Sequence, residues 1–306
     1  MTTTTAPVIP CIGGIVHQYA WMYQGQSATI AYETLGQGLP VLLLPAFSTV
    51  STRQEMAGIA QVLAPHFQVI ALDWLGFGDS DRPAWVYDRL LYRQLLQDFM
   101  RHCCPQPPAM VAAGHGAGYA LQVAQQQPYS CSKLVLVAPT WKGPLRAMGA
   151  PRPVASGVRN LVRSPLLGQA LYGLNTTPAF LKLMYRRHVY GDASQLTPKF
   201  IAHKHAITQQ PGARFAPAAF VTAALDPFTD SAAWLAAGRA LDLPVQVIIP
   251  EQAPPQSTAE MEALAALPGI QSYHLPGSLG LHEEHAAKVG ALALAFLQAY
   301  PLGKAG

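Results

Sequence analysis

Residues 109–127 read AMVAAGHGAGYALQVAQQQ. The first part is an unbroken apolar run and the last part has the spacing of a helix. Between them stands a five-residue turn of small residues, Gly114-His115-Gly116-Ala117-Gly118. A short apolar run that passes straight into a helix is the layout of a buried strand feeding its crossover helix. It is also where a G-x-S-x-G turn carries a nucleophile at its middle position. The middle residue is Gly116, which has no side chain.

Further apolar runs lie on both sides: PVLLLPAF (40–47), FQVIALDW (67–74), KLVLVAPT (133–140), PVQVIIP (244–250) and IQSYHLP (270–276). Helical patterns such as YDRLLYRQLLQDFMRHCC separate most of them, which predicts an α/β fold with a mostly parallel central sheet flanked by helices. Near the N-terminus VHQYAWMYQG and SATIAYETLG alternate at period two, as an edge hairpin does. From Gly143 to Ala219 the strand pattern stops in favour of helical pieces punctuated by proline, and a strand-like layout resumes near Phe220–Pro227. The expected organisation is a tail and the start of the hairpin over 1–25, a core over 26–142 and 220–306, and an inserted helical cap over 143–219.

Half of the 306 residues are hydrophobic and 12% are charged, a composition that excludes a disordered chain. No apolar run approaches the roughly 18 residues of a membrane span. The start MTTTTAPVIP lacks the basic and apolar stretches of a signal peptide, so a cytoplasmic protein is expected. Cys11, Cys103, Cys104 and Cys131 have neither metal-binding nor C-x-x-C spacing and read as buried thiols; neither metal nor cofactor is expected. Charge is divided unevenly. Segment 143–219 has ten Lys and Arg against one acid, Asp192, a net +9 that leaves −5 for the rest of a chain of net +4. Arg159 with Arg163, and Lys182 with Arg186, are spaced to share helix faces beside apolar residues. That basic surface could dock an acidic protein or an anionic membrane surface, which leaves peripheral membrane association open. The small overall charge and the lack of any recognition motif argue against nucleic acid.

The stretch ALDWLGFGDSDRP (71–83) fits a strand, turn and loop of the form D-x-x-G-F-G-x-S, with Asp73 and Asp79–Asp81 shaping the loop. In chain order with LLLPAFSTVSTRQEM (42–56) and the turn at 114–118, it resembles the α/β-hydrolase superfamily, in the capped branch of haloperoxidase-like, epoxide-hydrolase-like and C–C-bond hydrolases. The resemblance covers residues 26–300. It implies a nucleophile at Gly116, an acid at Ala253 in PEQAPP (250–255) and a histidine at Leu279 in SLGLHEE (278–284), so all three triad positions lack their chemistry. It also implies backbone N–H groups of Ala117 and Phe47 facing a substrate oxygen, with His115 beside them. A surviving pocket would favour a small, mostly apolar ligand with one oxygen function. Two readings follow. One is a catalytically degenerate binding or scaffold protein; the other is an active esterase-like hydrolase or lyase with displaced groups, for which Ser48, His282 and Asp226 are the candidates.

Overall fold

The computed structural model describes residues 10–127, 130–149, 151–164 and 167–300. Eight strands form one sheet in the order β1-β2-β4-β3-β5-β6-β7-β8. They are β1 (Ile15–Tyr23), β2 (Gln26–Leu35), β3 (Pro40–Leu44), β4 (Gln68–Leu72), β5 (Ala109–Ala113), β6 (Lys133–Val137), β7 (Val245–Pro250) and β8 (Ile270–Leu275). β1 and β2 form an antiparallel hairpin, and β2 also runs antiparallel to β4. The strands from β4 through β8 are parallel. The hairpin turns through Gln24 and Gly25 at φ 49° and 78°, the left-handed pair of a two-residue turn that matches strand twist.

Every residue of β3, β5, β6 and β7 is buried, because helices cover both faces of the sheet. Alternation at period two sorts these residues into two cores. Leu42, Leu44, Ala112, Leu136 and Val247 face the layer of α2 (Arg89–Cys103), α3 (Gly114–Gln126), α10 (Ser231–Arg239) and α11 (Pro255–Ala265). Val41, Leu43, Val111, Val135 and Ile248 face α1 (Ala57–Leu63), α12 (Leu281–Glu284) and α13 (Ala286–Ala299). Burial in these cores pushes the Cys104 and Cys131 thiols up to about 12.

Between β6 and α10 the chain makes an excursion of helices: α4 (Pro144–Ala147), α5 (Arg152–Arg163), α6 (Leu167–Asn175), α7 (Pro178–Met184), α8 (Pro198–Thr208) and α9 (Phe215–Val221). The strand-like layout expected near Phe220–Pro227 is absent: Phe220 lies in α9, which ends at Val221, and the chain then turns at Ala223, φ 63°. A short apolar run is compatible with a buried helix as well as with a strand, and here the helix prevails.

The motif at 71–83 holds the sheet to the loop after β3. Asp73 accepts hydrogen bonds from the backbone N–H groups of Arg53 (2.6 Å) and Asp79 (2.8 Å) and pairs with the Arg53 guanidinium. Arg53 also reaches Glu33 (3.2 Å) and Asp79 (2.9 Å), while Ser80 donates to the Asp73 carbonyl (2.7 Å). The aspartates thus shape the loop, as the sequence predicts.

Candidate functional site

β5 ends at Ala113 and α3 begins at Gly114, whose φ is +50°. Among the residues of the turn only Gly114 lies in the left-handed region, where a Cβ is strained. Gly116 already belongs to the first turn of the helix. Ala113 is the N-cap, so its carbonyl accepts the first intrahelical bond, which comes from Ala117. The left-handed residue at the strand-to-helix junction is therefore Gly114, two residues before the Gly116 at which the sequence resemblance implies the nucleophile. The N–H groups left without intrahelical acceptors are those of Gly114, His115 and Gly116, not that of Ala117. Gly116 and Gly118 serve packing instead. A Cβ on Gly116 would lie 2.7 Å from the Pro45 carbonyl oxygen, and one on Gly118 would lie 2.6 Å from Pro227 Cγ.

Beside this turn, the loop after β3 places Phe47 in a cluster of rings. Phe47 is 4% exposed, and its ring centroid lies 5.0 Å from those of Trp74 and Tyr92, 5.6 Å from Tyr119 and 6.2 Å from Phe220 and His115. The polar tips find backbone acceptors: Trp74 donates to Pro45 (3.0 Å), Tyr92 to Leu75 (2.6 Å) and Tyr119 to Leu225 (2.7 Å). Two surface depressions, of about 350 and 380 Å³, lie elsewhere. Pro108 lines one, and Val245 and Ile270 line the other, all at the amino ends of strands and so at the opposite edge of the sheet from Gly114.

His115 is buried with both ring nitrogens engaged. Nε2 lies 3.3 Å from Asp226 and Nδ1 lies 3.2 Å from the Thr140 hydroxyl. Asp226 also accepts from the backbone N–H of Gly143 (2.7 Å) and from Arg146 (3.2 Å). One carboxylate thus joins the segment leaving β6, the segment returning after α9 and the helix that starts at the turn. The arrangement holds an imidazole between a carboxylate and the Thr140 hydroxyl, while its chain neighbours Gly114 and Gly116 offer no side chain.

A second buried group of charges lies where the cap helix α8 meets the core. Lys204 Nζ is 2.9 Å from both Glu55 and Glu283, and His282 Nε2 is 3.4 Å from the other Glu55 oxygen. Burial opposes ionisation of Glu55, yet Lys204 and His282 hold its carboxyl below the usual carboxylate range. Burial likewise opposes the charge on Lys204, but Glu55, Tyr185 and Glu283 hold its ammonium well above the usual lysine value. The Tyr185 and Phe200 rings sit 5.7 and 5.4 Å from the ammonium.

The candidate set Ser48, His282 and Asp226 is not assembled. Ser48 Oγ accepts from the Val50 N–H (3.1 Å), His282 pairs with Glu55, and Asp226 pairs with His115 and Arg146. Ala253 follows β7, Leu279 follows β8, and both side chains are half-buried against the core that contains Phe47. Arg163, expected on the basic surface, and Lys204, counted in the charge of segment 143–219, are not free. Lys204 is 2% exposed, and Arg163 donates to the Trp85 (2.7 Å) and Ala84 (3.3 Å) carbonyls. Lys182 and Arg186 are exposed and Arg159 is half-exposed. The signal for Lys204 was its spacing: with Ile201 and Thr208 it falls on the buried stripe of α8.

The model of the alpha/beta hydrolase family matches residues 41–291. The chain belongs to the alpha/beta hydrolase family. Among solved structures this hydrolase-family chain resembles a probable hydrolytic enzyme from Pseudomonas aeruginosa PAO1, with TM-score 0.72, 17% identity and coverage of 94% of this chain and 95% of that one. It also resembles a bromoperoxidase from Bacillus anthracis (TM-score 0.72, 17% identity, 92% and 100% covered) and a thermophilic esterase from Thermogutta terrifontis (0.71, 20%, 93% and 98%). These likenesses are of fold. An uncharacterized protein of Mycobacterium tuberculosis is 32% identical over 108 residues, which is 35% of this chain and 31% of that protein. The match thus takes in about a third of that relative's length. Among the described residues no helix is long and apolar enough to cross a membrane.

Proposed function

We propose that this chain is a catalytically degenerate member of its family that acts as a binding or scaffold protein. The observation that carries this reading is Gly114: the left-handed residue between β5 and α3, where the fold exposes a nucleophile, has no side chain. Three further features support it. Ala253 and Leu279 stand at the turns where an acid and a histidine are expected, and His115 is held by Asp226 and Thr140. Phe47 is buried within a ring cluster, which makes the small-ligand pocket inferred from the sequence the weaker of the two binding modes, and the cap surface the stronger.

The test is turnover of small activated esters together with labelling by a covalent serine-hydrolase probe. Loss of a complete triad lowers turnover by about 10⁶ and leaves about 10³ to 10⁴ over the uncatalysed rate. The chain is expected to show no more than that residue and no label. Gly114→Ser is expected to stay inactive, because a hydroxyl there has no relay of base and acid behind it. Labelling of the natural chain at Ser48 or at any other residue would restore the alternative of a working esterase-like hydrolase or lyase.

A further inference from the structure

Helices α5, α6 and α7 carry a group of large apolar side chains exposed to solvent. On α6, Leu167 and Leu174 are 64% and 68% exposed with Leu171 between them, the i, i+4, i+7 spacing of one helix face. The opposite face supplies the buried residues, Gly168 and Tyr172. α5 adds Val158 and Leu161, and α7 adds Leu183 and Met184, each more than a third exposed. α6 packs against both neighbours, so the three helices form one continuous surface. Its charged side chains are cationic, beside the uncharged Asn160, Gln169 and Asn175. Arg146, Arg163 and Lys204 are engaged with the core, while Lys182, Arg186 and Arg187 stay exposed beside Leu183 and Met184.

We infer that this α5–α7 surface docks on an anionic lipid membrane. Charge complementarity selects this occupant. Segment 143–219 has a single acid, Asp192, against ten Lys and Arg, and among the described residues Lys182, Arg186 and Arg187, on α7 and the residues after it, are in no ion pair. A second copy seated face to face would set cations against cations, since an isologous contact repeats the same patch on both sides. The terminal stretches 1–9 and 301–306 contain no Asp or Glu to cover the patch. Exposed leucines flanked by Lys and Arg are the composition of a surface that inserts apolar side chains at the headgroup boundary while its cations meet anionic lipid. The inference deepens the binding reading above by naming a partner, and it is measured without any catalytic assay.

The test is co-sedimentation of the full chain with vesicles of phosphatidylcholine alone and of equal parts phosphatidylcholine and phosphatidylglycerol. Binding is expected to the second and to be weak for the first. It should fall as the Debye length shrinks from about 10 Å at 0.1 M salt to about 3 Å at 1 M. Replacing Lys182, Arg186 and Arg187 together by Gln should weaken partitioning on the order of a hundredfold, at about fivefold per cation. Leu167→Ser with Leu174→Ser should also reduce it, and the charge-only variant should keep the melting temperature of the natural chain. Binding to neither vesicle, equal binding to both, or a dimer in solution that the two leucine changes dissolve would overturn the proposal. Ester turnover in these preparations would overturn the non-catalytic reading instead and leave the membrane result standing.

Discussion

The turn at Gly114 and the seam between cap and core hold different kinds of material. Around Gly114 the groups that meet are the rings of Phe47, Trp74, Tyr92, Tyr119 and Phe220. At the seam the apolar cluster of Val50, Leu181, Tyr185 and Tyr190 is joined by ions: Lys204 with Glu55 and Glu283, and Asp226 with Arg146. The ring cluster stabilises by burial and dispersion and tolerates small shifts. A buried ion pair adds little net stability over well-packed apolar groups, but it makes any displaced seating costly, because ions separated while still dry are left unpaired. The ions therefore specify where the cap sits.

The largest effect is expected at the seam. Lys204→Ala leaves Glu55 buried without its main partner and should lower the unfolding free energy by about 3–5 kcal/mol in a denaturant titration. Replacing Lys204 by Met and Glu55 by Gln together should recover much of that loss. A cost near zero for Lys204→Ala would mean that the seam is hydrated and that the contrast with the ring cluster is false. The pH dependence gives a second reading of the same contacts. The folded-state pKa of Glu55 is depressed, so its contribution is present above the carboxylate range and is lost as pH falls through the depressed value. Lys204 is raised, so its share is intact below the ordinary lysine value and is lost only in strong alkali. Stability from this pair should thus be flat near neutrality and fall below about pH 4, and Glu55→Gln should remove that acid limb.

Phe47→Ala should cost a comparable amount, about 3–5 kcal/mol, through lost burial and the cavity left behind. Its pH profile should parallel that of the natural chain, since no ion is disturbed. The vacated space is lined by rings, so the variant should gain affinity for small aromatic solutes, read as a shift in melting temperature. A variant that loses little stability and takes up no solute would show that neighbouring rings collapse into the gap.

The two regions also differed in how far the sequence revealed them. Strands β3 to β7 could be read because burial on both faces leaves short, unbroken apolar runs, and their order implied the sheet. The turn after β5 was recognisable as a turn, but its register was not. Gly114, Gly116 and Gly118 all fit a pattern of small residues, and only the backbone distinguishes the one at positive φ from those kept small by Pro45 and Pro227. At the seam the sequence misled in another way. Lys204 counted in the charge of segment 143–219 and Arg163 in its basic surface, because their partners, Glu55, Glu283 and the Trp85 carbonyl, lie 149, 79 and 78 residues away along the chain and no local pattern connects them.

The smallest expected effect decides that register. Gly114→Ala places a Cβ at positive φ, a cost of roughly 1–2 kcal/mol, and sets that Cβ 2.9 Å from Ala46 Cβ. Gly116→Ala meets no such backbone penalty; its obstacle is the Pro45 carbonyl oxygen at 2.7 Å. Ala46→Gly removes the atom that opposes a side chain at 114 and leaves the carbonyl that opposes one at 116. In double-mutant cycles Ala46→Gly should therefore couple favourably with Gly114→Ala, by an amount at the low end of the roughly 0.5–3 kcal/mol seen for touching residues. With Gly116→Ala it should show no coupling beyond error. The opposite pattern would return the nucleophile position to Gly116 and make the strained residue of the fold the one inside the helix, which the φ of Gly114 argues against.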